Sequence, residues 1–339
     1  MQDIKNLIVI GASAGGLGAI SQVLSGLSDN LDAAVLVVIH ISRKSNAAAI
    51  ASVFQRKTNL VCVPAQDGMH ITKGHLYVAL PDHHLMVSDG HIRINQGPHE
   101  NKYRPSIDVL FRSAAVNYGN RVIGIILTGL LEDGTSGMYA IKQTGGICIV
   151  QDPDEAEFSD MPRSVLNKIK VDHCATLDDI PGILQRIIAG PLPEQMEVPN
   201  ELQIEADITE RMMTDINEMK KIADRSDFMC PDCGGGLWAV KNDPIHRYRC
   251  HTGHVYTEKL LNELKDEKIE ESIWVCLRML EEKANLLMLM SHRESNEGKM
   301  DTASAHQRRV DDINRHISRL KSFLTRLSQD LYDTPPAAE

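Results

Sequence analysis

The sequence predicts an α/β protein with a doubly wound, mostly parallel sheet that carries edge hairpins, followed by a small zinc-ribbon-like module and a long α-helical hairpin. Three observations support this fold class. Short aliphatic runs alternate with amphipathic segments from residue 1 to about residue 190, as parallel sheets covered on both faces require. Paired cysteines and histidines follow between residues 230 and 254. Residues 260–331 then place apolar side chains at spacings of three and four, the period of packed helices.

The alternating segments of the first part can be assigned from their periodicity. The sequence predicts strands over residues 7–10, 34–41, 122–127 and 147–150, because each is a short run of aliphatic residues. Helices are predicted over residues 16–27, 47–56, 107–117, 135–144 and 162–169, where apolar residues recur at helical intervals. Each of these strands is followed by a helix, which is the order that builds a parallel sheet.

Residues 68–95 interrupt this alternation. Short apolar runs are separated there by Pro81-Asp82 and Asp89-Gly90, which predicts hairpins at one edge of the sheet. The stretch that follows, residues 97–101, is either a wall of a substrate cleft or a solvated turn, and the sequence leaves both open. The histidines of this region are expected at the surface: His70, His75, His83, His84, His91 and His99.

The composition excludes several classes of protein. No uninterrupted apolar run approaches the roughly 20 residues of a membrane-spanning helix, and the first residues lack the pattern of a signal peptide. We therefore expect a cytoplasmic protein without direct membrane insertion. The formal net charge of −10 argues against a nucleic-acid partner, because phosphate binding needs clustered lysine and arginine. In a reducing compartment the remaining cysteines are expected to be buried thiols: Cys62, Cys148, Cys174 and Cys276.

Candidate catalytic residues follow three of the predicted strands. Ser13 lies in a turn of small residues between the first strand and the first helix, a position that exposes a nucleophile near free helix amides. His40 ends the second strand, and Asp133 lies in the loop after residues 122–127. Because ligands bind at the carboxyl ends of such strands, we expect these side chains to form a Ser-His-Asp relay. His40 would take the proton of Ser13, and Asp133 would fix the imidazole tautomer.

A nucleotide-binding turn is the main competing interpretation of the Ser13 segment, and a histidine at a strand end is often only a polar edge residue. The sequence argues against nucleotide binding, because it has neither the glycine spacing of a dinucleotide fold nor a Gly-Lys-Ser/Thr phosphate loop. No acidic residue ends the second strand, where a ribose would need one. The coincidence of all three positions favours catalysis.

The same residues resemble a known family. Gly11-Ala12-Ser13-Ala14-Gly15-Gly16, His40, and Leu127-Thr128-Gly129 followed by Asp133-Gly134 look like the catalytic domain of CheB-type protein-glutamate methylesterases of bacterial chemotaxis. Residues 104–111, Gln151-Asp152-Pro153 and Met161-Pro162 add to the match, which covers residues 4 to 188. The resemblance implies hydrolysis of glutamate γ-methyl esters on the cytoplasmic helices of chemoreceptors, deamidation of receptor glutamines, and a triad of Ser13, His40 and Asp133.

The chain also departs from the family pattern. The family often has threonine after the nucleophile and Met-Gly after Thr-Gly, where this chain has Ala14 and Leu130-Leu131. These changes leave the relay intact and alter the wall beside it. The serine turn lies at residue 13, so we expect a free-standing form without a receiver domain. Backbone amides near Ala14 and in the loop of residues 128–131 are expected to hold the oxyanion, with no cofactor at the catalytic centre.

A second site is predicted after a proline-containing linker. Cys230-Pro231-Asp232-Cys233 is followed by Cys250 and His254, which is the spacing of a tetrahedral structural zinc site. We assign Cys230, Cys233, Cys250 and His254 as ligands, with His251 and, more weakly, His246 as alternates for the fourth position. A redox Cys-x-x-Cys is the competing interpretation, and the segment lacks the strand-to-helix setting of that motif.

These assignments divide the chain into a catalytic domain (1–190), a linker with an acidic helix (191–226), a zinc-ribbon-like module (227–257), a helical hairpin (258–333) and a disordered tail (334–339). A zinc knuckle before a helical hairpin also resembles the extension of some free-standing CheB-like proteins. The hairpin could dock on a helical chemoreceptor or join two copies as a homo-oligomer. Two other functions stay open: an esterase or amidase with a different substrate, and a non-catalytic chemosensory scaffold.

Overall fold

The computed structural model describes residues 4–28 and 30–332, and the predicted disordered tail lies outside the described residues. The chain divides into two compact units, residues 1–260 and 261–339. The first unit is built on a seven-stranded sheet in the order β3-β4-β2-β1-β7-β8-β9 with every pair parallel. Its strands are β1 (Asn6–Ala12), β2 (Ala33–Ile39), β3 (Val61–Pro64), β4 (His75–Val78), β7 (Val122–Ile126), β8 (Ile147–Gln151) and β9 (His173–Ala175).

Helices cover both faces of this sheet, which confirms the predicted doubly wound α/β fold. Alternate residues of β1 point to opposite faces, so Leu7 and Val9 belong to one buried apolar cluster and Ile8 and Ile10 to the other. Every residue of β1, β2 and β7 is buried, which explains why these strands are continuous aliphatic runs. The helices are α1 (Gly16–Ser25), α2 (Ala47–Gln55), α3 (Ile107–Tyr118), α4 (Thr135–Gln143), α5 (Asp160–Lys168) and α6 (Ile180–Ala189).

The region of the predicted edge hairpins differs in detail from the expectation. Residues 75–78 form β4, a parallel strand of the main sheet, and only β5 (His84–Ser88) and β6 (His91–Asn95) make a hairpin, which forms its own two-stranded sheet. The expected surface position of His84 is wrong: it is 1% exposed, with Nε2 2.9 Å from the Pro98 carbonyl oxygen and Nδ1 3.3 Å from the Ser106 amide. Its two ring nitrogens are thus satisfied inside the protein.

The cysteine prediction holds only in part. Cys148 is buried and burial raises the pKa of its thiol to about 12, whereas Cys62 is half-buried. The expectation for Cys174 and Cys276 is wrong, because both are exposed. Cys174 lies on β9, the last strand of the sheet, and an edge strand is covered less completely than a central one.

The segment after the sheet domain folds back onto it. Two short helices, α7 (Asn200–Arg211) and α8 (Ile216–Ile222), take the place of the single predicted acidic helix, since Met212 turns the chain with a φ of 54°. An antiparallel four-stranded sheet follows, made of β10 (Ala223–Met229), β11 (Gly236–Val240), β12 (Arg247–Cys250) and β13 (Val255–Thr257). We call this four-stranded sheet the cysteine sheet.

A buried charge cluster joins the cysteine sheet to the sheet domain. Glu205 of α7 pairs with Arg247 at 2.8 Å, with Arg112 of α3 at 3.3 Å and with Arg249 at 3.4 Å. Glu100 pairs with Arg112 at 2.8 Å and with Arg249 at 3.3 Å. Burial by itself would raise the pKa of both carboxyls, but the surrounding guanidinium groups outweigh it and hold each pKa below its usual range.

The C-terminal unit consists of two long helices, as predicted. They are α9 (Glu258–Asn296) and α10 (Met300–Tyr332), and the first of them begins at the unit boundary. Leu277, Leu287, Val310 and Ile317 form the buried seam between them, and Lys321 of α10 pairs with Glu281 of α9 at 2.9 Å. Within the described residues, neither these nor the other helices are long and apolar enough to cross a membrane.

The charge cluster gives a stability prediction. Glu205→Gln removes one carboxylate from among buried guanidinium groups, so we expect the free energy of unfolding to fall by about 3–5 kcal/mol in urea titrations at pH 7. Asp154→Asn is the matched control, because the Asp154–Arg163 pair is exposed on both sides and such pairs contribute little. Equal effects of the two variants would contradict the importance of the cluster.

Candidate functional site

Ser13 lies in the turn between β1 and α1. Its amide donates to the Thr128 carbonyl oxygen at 3.0 Å, and its own carbonyl oxygen accepts from the Gly16 amide at 2.9 Å. Gly15 has a φ of 74°, and a Cβ there would lie 2.6 Å from a Glu157 oxygen, so this turn requires glycine. The turn therefore fixes a half-buried serine at the carboxyl end of the central strand.

His40 follows the neighbouring strand at the same level. Ala12 and Ile39 are register partners of β1 and β2, and the His40 amide donates to the Ala12 carbonyl oxygen at 3.1 Å. The side chain of His40 is only 5% exposed, and its Nε2 lies 2.9 Å from Oδ2 of Asp133. Two of the predicted residues are therefore in direct contact, and the third follows the adjacent strand.

Asp133 is a buried carboxylate with many donors. Burial alone would raise its pKa, but the hydrogen bond and charge of His40 and the other donors outweigh this and hold the pKa below its usual range. The other donors are the Ile107 amide at 2.7 Å, Ser106 Oγ at 2.8 Å, Asn101 Nδ2 at 3.0 Å and the Asp108 amide at 3.3 Å. An ionised Asp133 fixes the proton of the neutral imidazole on Nε2.

The other imidazole nitrogen is the one available to a nucleophile. Nδ1 of His40 is buried and, within the described residues, has no hydrogen-bond partner. The Tyr103 hydroxyl lies near Ser13, and the Tyr103 ring stacks on His40 with 3.5 Å between centroids and 9° between planes. The structure thus places Ser13, His40 and Asp133 at the same edge of the sheet, with Tyr103 stacked on the imidazole.

The sequence interpretation missed Tyr103 and left Asn101 undecided. Residues 97–101 were expected to be a cleft wall or a solvated turn, and the structure excludes the second, because Glu100 is 1% and Asn101 is 3% exposed. Tyr103 directly precedes Arg104-Pro105-Ser106, the start of the family-like motif of residues 104–111. That motif indicates a functional segment, but it does not indicate which side chain contacts the triad. No spacing within the sequence relates residue 103 to residue 40.

A second buried carboxyl lies beside Asp133. Burial and the negative charge of Asp133 raise the pKa of Asp108 well above its usual value. Asn101 Nδ2 donates to both carboxyls, at 2.8 Å to Asp108 and 3.0 Å to Asp133. The pKa values of the two neighbouring carboxyls are therefore shifted in opposite directions, that of Asp133 downward and that of Asp108 upward.

The backbone around Ser13 defines the candidate oxyanion donors. The amides of Thr128 and Gly129 already donate to Gln151 Oε1 at 2.8 Å and to the Phe158 carbonyl oxygen at 2.9 Å. A Cβ on Gly129 would lie 2.8 Å from Ser13 Cβ, so the loop passes very close to the nucleophile. Of the amides predicted to hold the oxyanion, those of Ala14 and Leu130 are the ones that no described group occupies.

The predicted metal ligands also converge. The donor atoms of Cys230, Cys233, Cys250 and His254 all lie within 4.8 Å of one another. The Cys233 and Cys250 sulfurs are 3.8 Å apart, and Nδ1 of His254 lies 3.5 Å from the Cys250 sulfur and 3.8 Å from that of Cys230. Zinc–sulfur bonds of about 2.3 Å at tetrahedral angles imply a sulfur separation of about 3.8 Å, so the cluster fits one tetrahedral ion.

Several contacts shape this cluster. Tyr256 lies 3.1 Å from the Cys230 sulfur and donates to Asp232 at 2.8 Å. A hydrogen bond between Cys230 and Cys250 lowers the pKa of the Cys230 thiol and raises that of Cys250, so it favours the thiolate form that metals bind on Cys230 alone. The alternates His251 and His246 are both exposed and lie outside the cluster. The cluster therefore has three sulfur donors and His254.

A parallel α/β sheet with a serine, a histidine and an aspartate at adjacent strand ends defines the class of α/β serine hydrolases. The chain belongs to one family of that class, because the CheB methylesterase family model matches residues 8–184. A related protein of Leptospira interrogans is 36% identical over 189 residues, which are 56% of this chain and 97% of that protein.

Two further comparisons agree with this family. The protein-glutamate methylesterase/protein-glutamine glutaminase of Escherichia coli K12 is 34% identical over 191 residues, 55% of this chain and 54% of that protein. The chain thus spans about half the length of that relative. The crystal structure of the Thermotoga maritima CheB methylesterase catalytic domain matches with a TM-score of 0.52 and 29% identity, covering 53% of this chain and 97% of that one. These matches cover about half of this chain, the share that the sheet domain occupies.

Proposed function

We propose that this chain is a protein-glutamate methylesterase that hydrolyses glutamate γ-methyl esters on chemoreceptor helices and also deamidates receptor glutamines. The observation that carries the proposal is the His40–Asp133 pair at 2.9 Å beside Ser13 at the carboxyl edge of the sheet. The names of its relatives, which state both activities, support it. In line with the predicted domains, we assign catalysis to residues 1–190 and partner binding to residues 258–333.

The mechanism follows from the available nitrogen of His40. The Ser13 hydroxyl rotates from Tyr103 towards His40, and its oxygen attacks the ester carbonyl while Nδ1 takes the proton. The amides of Ala14 and Leu130 hold the oxyanion. Nδ1 returns the proton to the leaving methoxide, which departs as methanol, and the acyl-enzyme remains on Ser13. Water, deprotonated by the same nitrogen, then frees the glutamate carboxyl and restores the serine.

The decisive experiment measures methanol released from a methylated chemoreceptor. We expect Ser13→Ala to lower the rate by about a thousandfold or more, because the nucleophile is lost while the oxyanion donors remain. Ser21→Ala is the matched control, since that serine only donates to the Leu17 carbonyl oxygen on the exposed side of α1.

The same assay separates the competing functions. A generic ester hydrolysed at a higher rate than the receptor, with no methanol from the receptor, would indicate an esterase with another substrate. Equal receptor-dependent activity of the wild type and Ser13→Ala would indicate a scaffold and would contradict the proposed enzyme.

We further propose that the Cys3His cluster holds a structural Zn²⁺ ion. Three thiolates and one imidazole complete a tetrahedral shell and leave no open position for substrate, which is the form of structural zinc sites. The cluster lies on the cysteine sheet, whereas the triad lies at the carboxyl edge of the large sheet. The ion would therefore stabilise the fold of the cysteine sheet and take no direct part in the chemistry.

Metal analysis of the purified chain tests this assignment. We expect about one zinc per chain, lost in Cys250→Ser and His254→Ala, because each removes one of the bonds of the tetrahedral shell. Cys276→Ser and His251→Ala are the controls, since both side chains are exposed and lie outside the cluster. A chain that loses zinc in His251→Ala and keeps it in His254→Ala would refute the assignment of the fourth ligand.

The C-terminal unit is our candidate for receptor docking. Its helix α9 leaves Val275, Met279, Leu286 and Leu289 between 45% and 64% exposed, at spacings that form a second apolar stripe. Such a stripe is complementary to another helix, and chemoreceptor signalling regions are bundles of helices. We therefore propose a receptor helix, and not a second copy of this chain, as its partner.

Charged substitutions on the stripe test docking. We expect Met279→Glu with Leu286→Glu to lower methanol release from the receptor by about tenfold or more and to leave hydrolysis of a small ester unchanged. Thr325→Glu on the exposed side of α10 is the control. Loss of a dimer in sedimentation, with receptor turnover unchanged, would assign the stripe to a homo-oligomer and refute receptor docking.

A further inference from the structure

The turn of residues 99–103 lies between the triad and the cysteine sheet. It is closed by two hydrogen bonds, from the Tyr103 amide to the Glu100 carbonyl oxygen at 3.0 Å and from the Glu100 amide to the Tyr103 carbonyl oxygen at 3.3 Å. Its central residues Asn101 and Lys102 have φ angles of 54° and 69°, which lie in the left-handed region that residues other than glycine adopt rarely. Contacts from outside the turn must therefore hold this conformation.

The cysteine sheet supplies several of those contacts. The Asn101 amide donates to the Val255 carbonyl oxygen at 2.8 Å, and the Val255 amide donates to the His99 carbonyl oxygen at 3.4 Å. Glu100 is anchored on Arg249 of β12 at 3.3 Å. Val255 of β13 thus forms a single parallel bridge with Glu100 of the turn, while β13 pairs antiparallel with β12 on its other side.

These anchoring residues adjoin the metal-ligand candidates. Arg249 directly precedes Cys250, and Val255 directly follows His254. Cys250 and His254 are the first and last residues of the turn between β12 and β13. The Cys250 amide donates a hydrogen bond to the His254 carbonyl oxygen at 2.9 Å, which closes this turn. An ion bound to both side chains fixes the ends of this turn and so the position of Val255.

The opposite side of the 99–103 turn contacts each member of the triad. Asn101 Nδ2 donates to Asp133 at 3.0 Å. The ring of Tyr103 stacks on His40 at 3.5 Å, and its hydroxyl interacts with Ser13. The stacked ring packs against the face of the imidazole and fixes its plane.

We propose that Tyr103 and Asn101 are positioning residues of the triad and that metal binding at the Cys3His cluster holds them in place through Val255. The proposal rests on the proposed function and on the proposed metal site. Tyr103 acts through His40 and Ser13, and Asn101 acts through Asp133. Loss of the metal would release the 99–103 turn while the large sheet stays folded.

Variants of Tyr103 in the zinc-loaded protein test the positioning role. With a small ester we expect Tyr103→Leu to lower kcat by about a hundredfold and to change KM by less than about twofold. The reason is that the imidazole loses its fixed orientation, whereas no contact with the substrate is removed. Tyr103→Phe keeps the stacked ring and should lose about tenfold at most. Tyr139→Leu is the control from helix α4. Wild-type kcat in Tyr103→Leu would overturn the positioning role, as would equal losses in both Tyr103 variants.

Removal of Zn²⁺ by a chelator tests the coupling. We expect kcat to fall about as far as in Tyr103→Leu and to fall little further when the metal is removed from that variant, because both changes release the same contact. Hydrogen exchange gives an independent readout: the Asn101 amide should lose its protection while the amides of β2 keep theirs. Unchanged protection at Asn101, or loss of protection in β2 as well, would overturn the coupling.

The exchange measurement needs no turnover and therefore distinguishes a failure of the metal coupling from a failure of the proposed function. A loaded protein without esterase activity would refute the proposed function, while the protection of the Asn101 amide would still decide whether the metal holds the turn. An active protein whose kcat and Asn101 protection do not respond to metal removal would retain the proposed function and refute the coupling.

Discussion

The ionised carboxylate of Asp133 is the constraint on which the candidate site depends. A buried charge is tolerated only when it is paired and hydrogen-bonded. Here its donors come from the end of β2, from the 99–103 turn and from the start of α3. The carboxylate therefore fixes the separation of elements that are far apart in the chain, and the same hydrogen bonds that satisfy it select the imidazole tautomer. The hydrogen bonds that stabilise the buried charge of Asp133 are therefore the ones that the proposed proton transfer requires.

A second buried charge cluster attaches the cysteine sheet to the sheet domain through the same kind of paired and hydrogen-bonded charges. Glu100, Glu205 and Asp243 balance Arg112, Arg247 and Arg249, and these residues come from the sheet domain, from α7, from β12 and from the loop before β12. Because Glu100 adjoins Asn101, the two clusters are linked by a single peptide bond. The cysteine sheet is thus attached through buried polar contacts close to the site, which explains why residues 1–260 form one compact unit.

The features that the sequence predicted are those that depend on local pattern. Buried strands are continuous aliphatic runs, parallel strands end at one edge, and therefore Ser13, His40 and Asp133 could be placed together from their positions after strands. The members of the Cys3His cluster follow from spacing in the same way. Tyr103 could not be found like this, because its place is set by a left-handed turn that Val255 holds from more than 150 residues away. The exposed position of Cys174 escaped prediction because it depends on β9 lying at the sheet edge.

Nδ1 of His40 lies buried without a hydrogen-bond partner among the residues that the structure describes. An unsatisfied buried acceptor is costly, so such an atom needs a compensating reason. Asp133 provides one, since it holds the proton on Nε2 and orients the ring, and Tyr103 provides another by stacking on it. The imidazole is thus held in one tautomer and one orientation by its neighbours, as the proposed role of Nδ1 as the base for Ser13 requires.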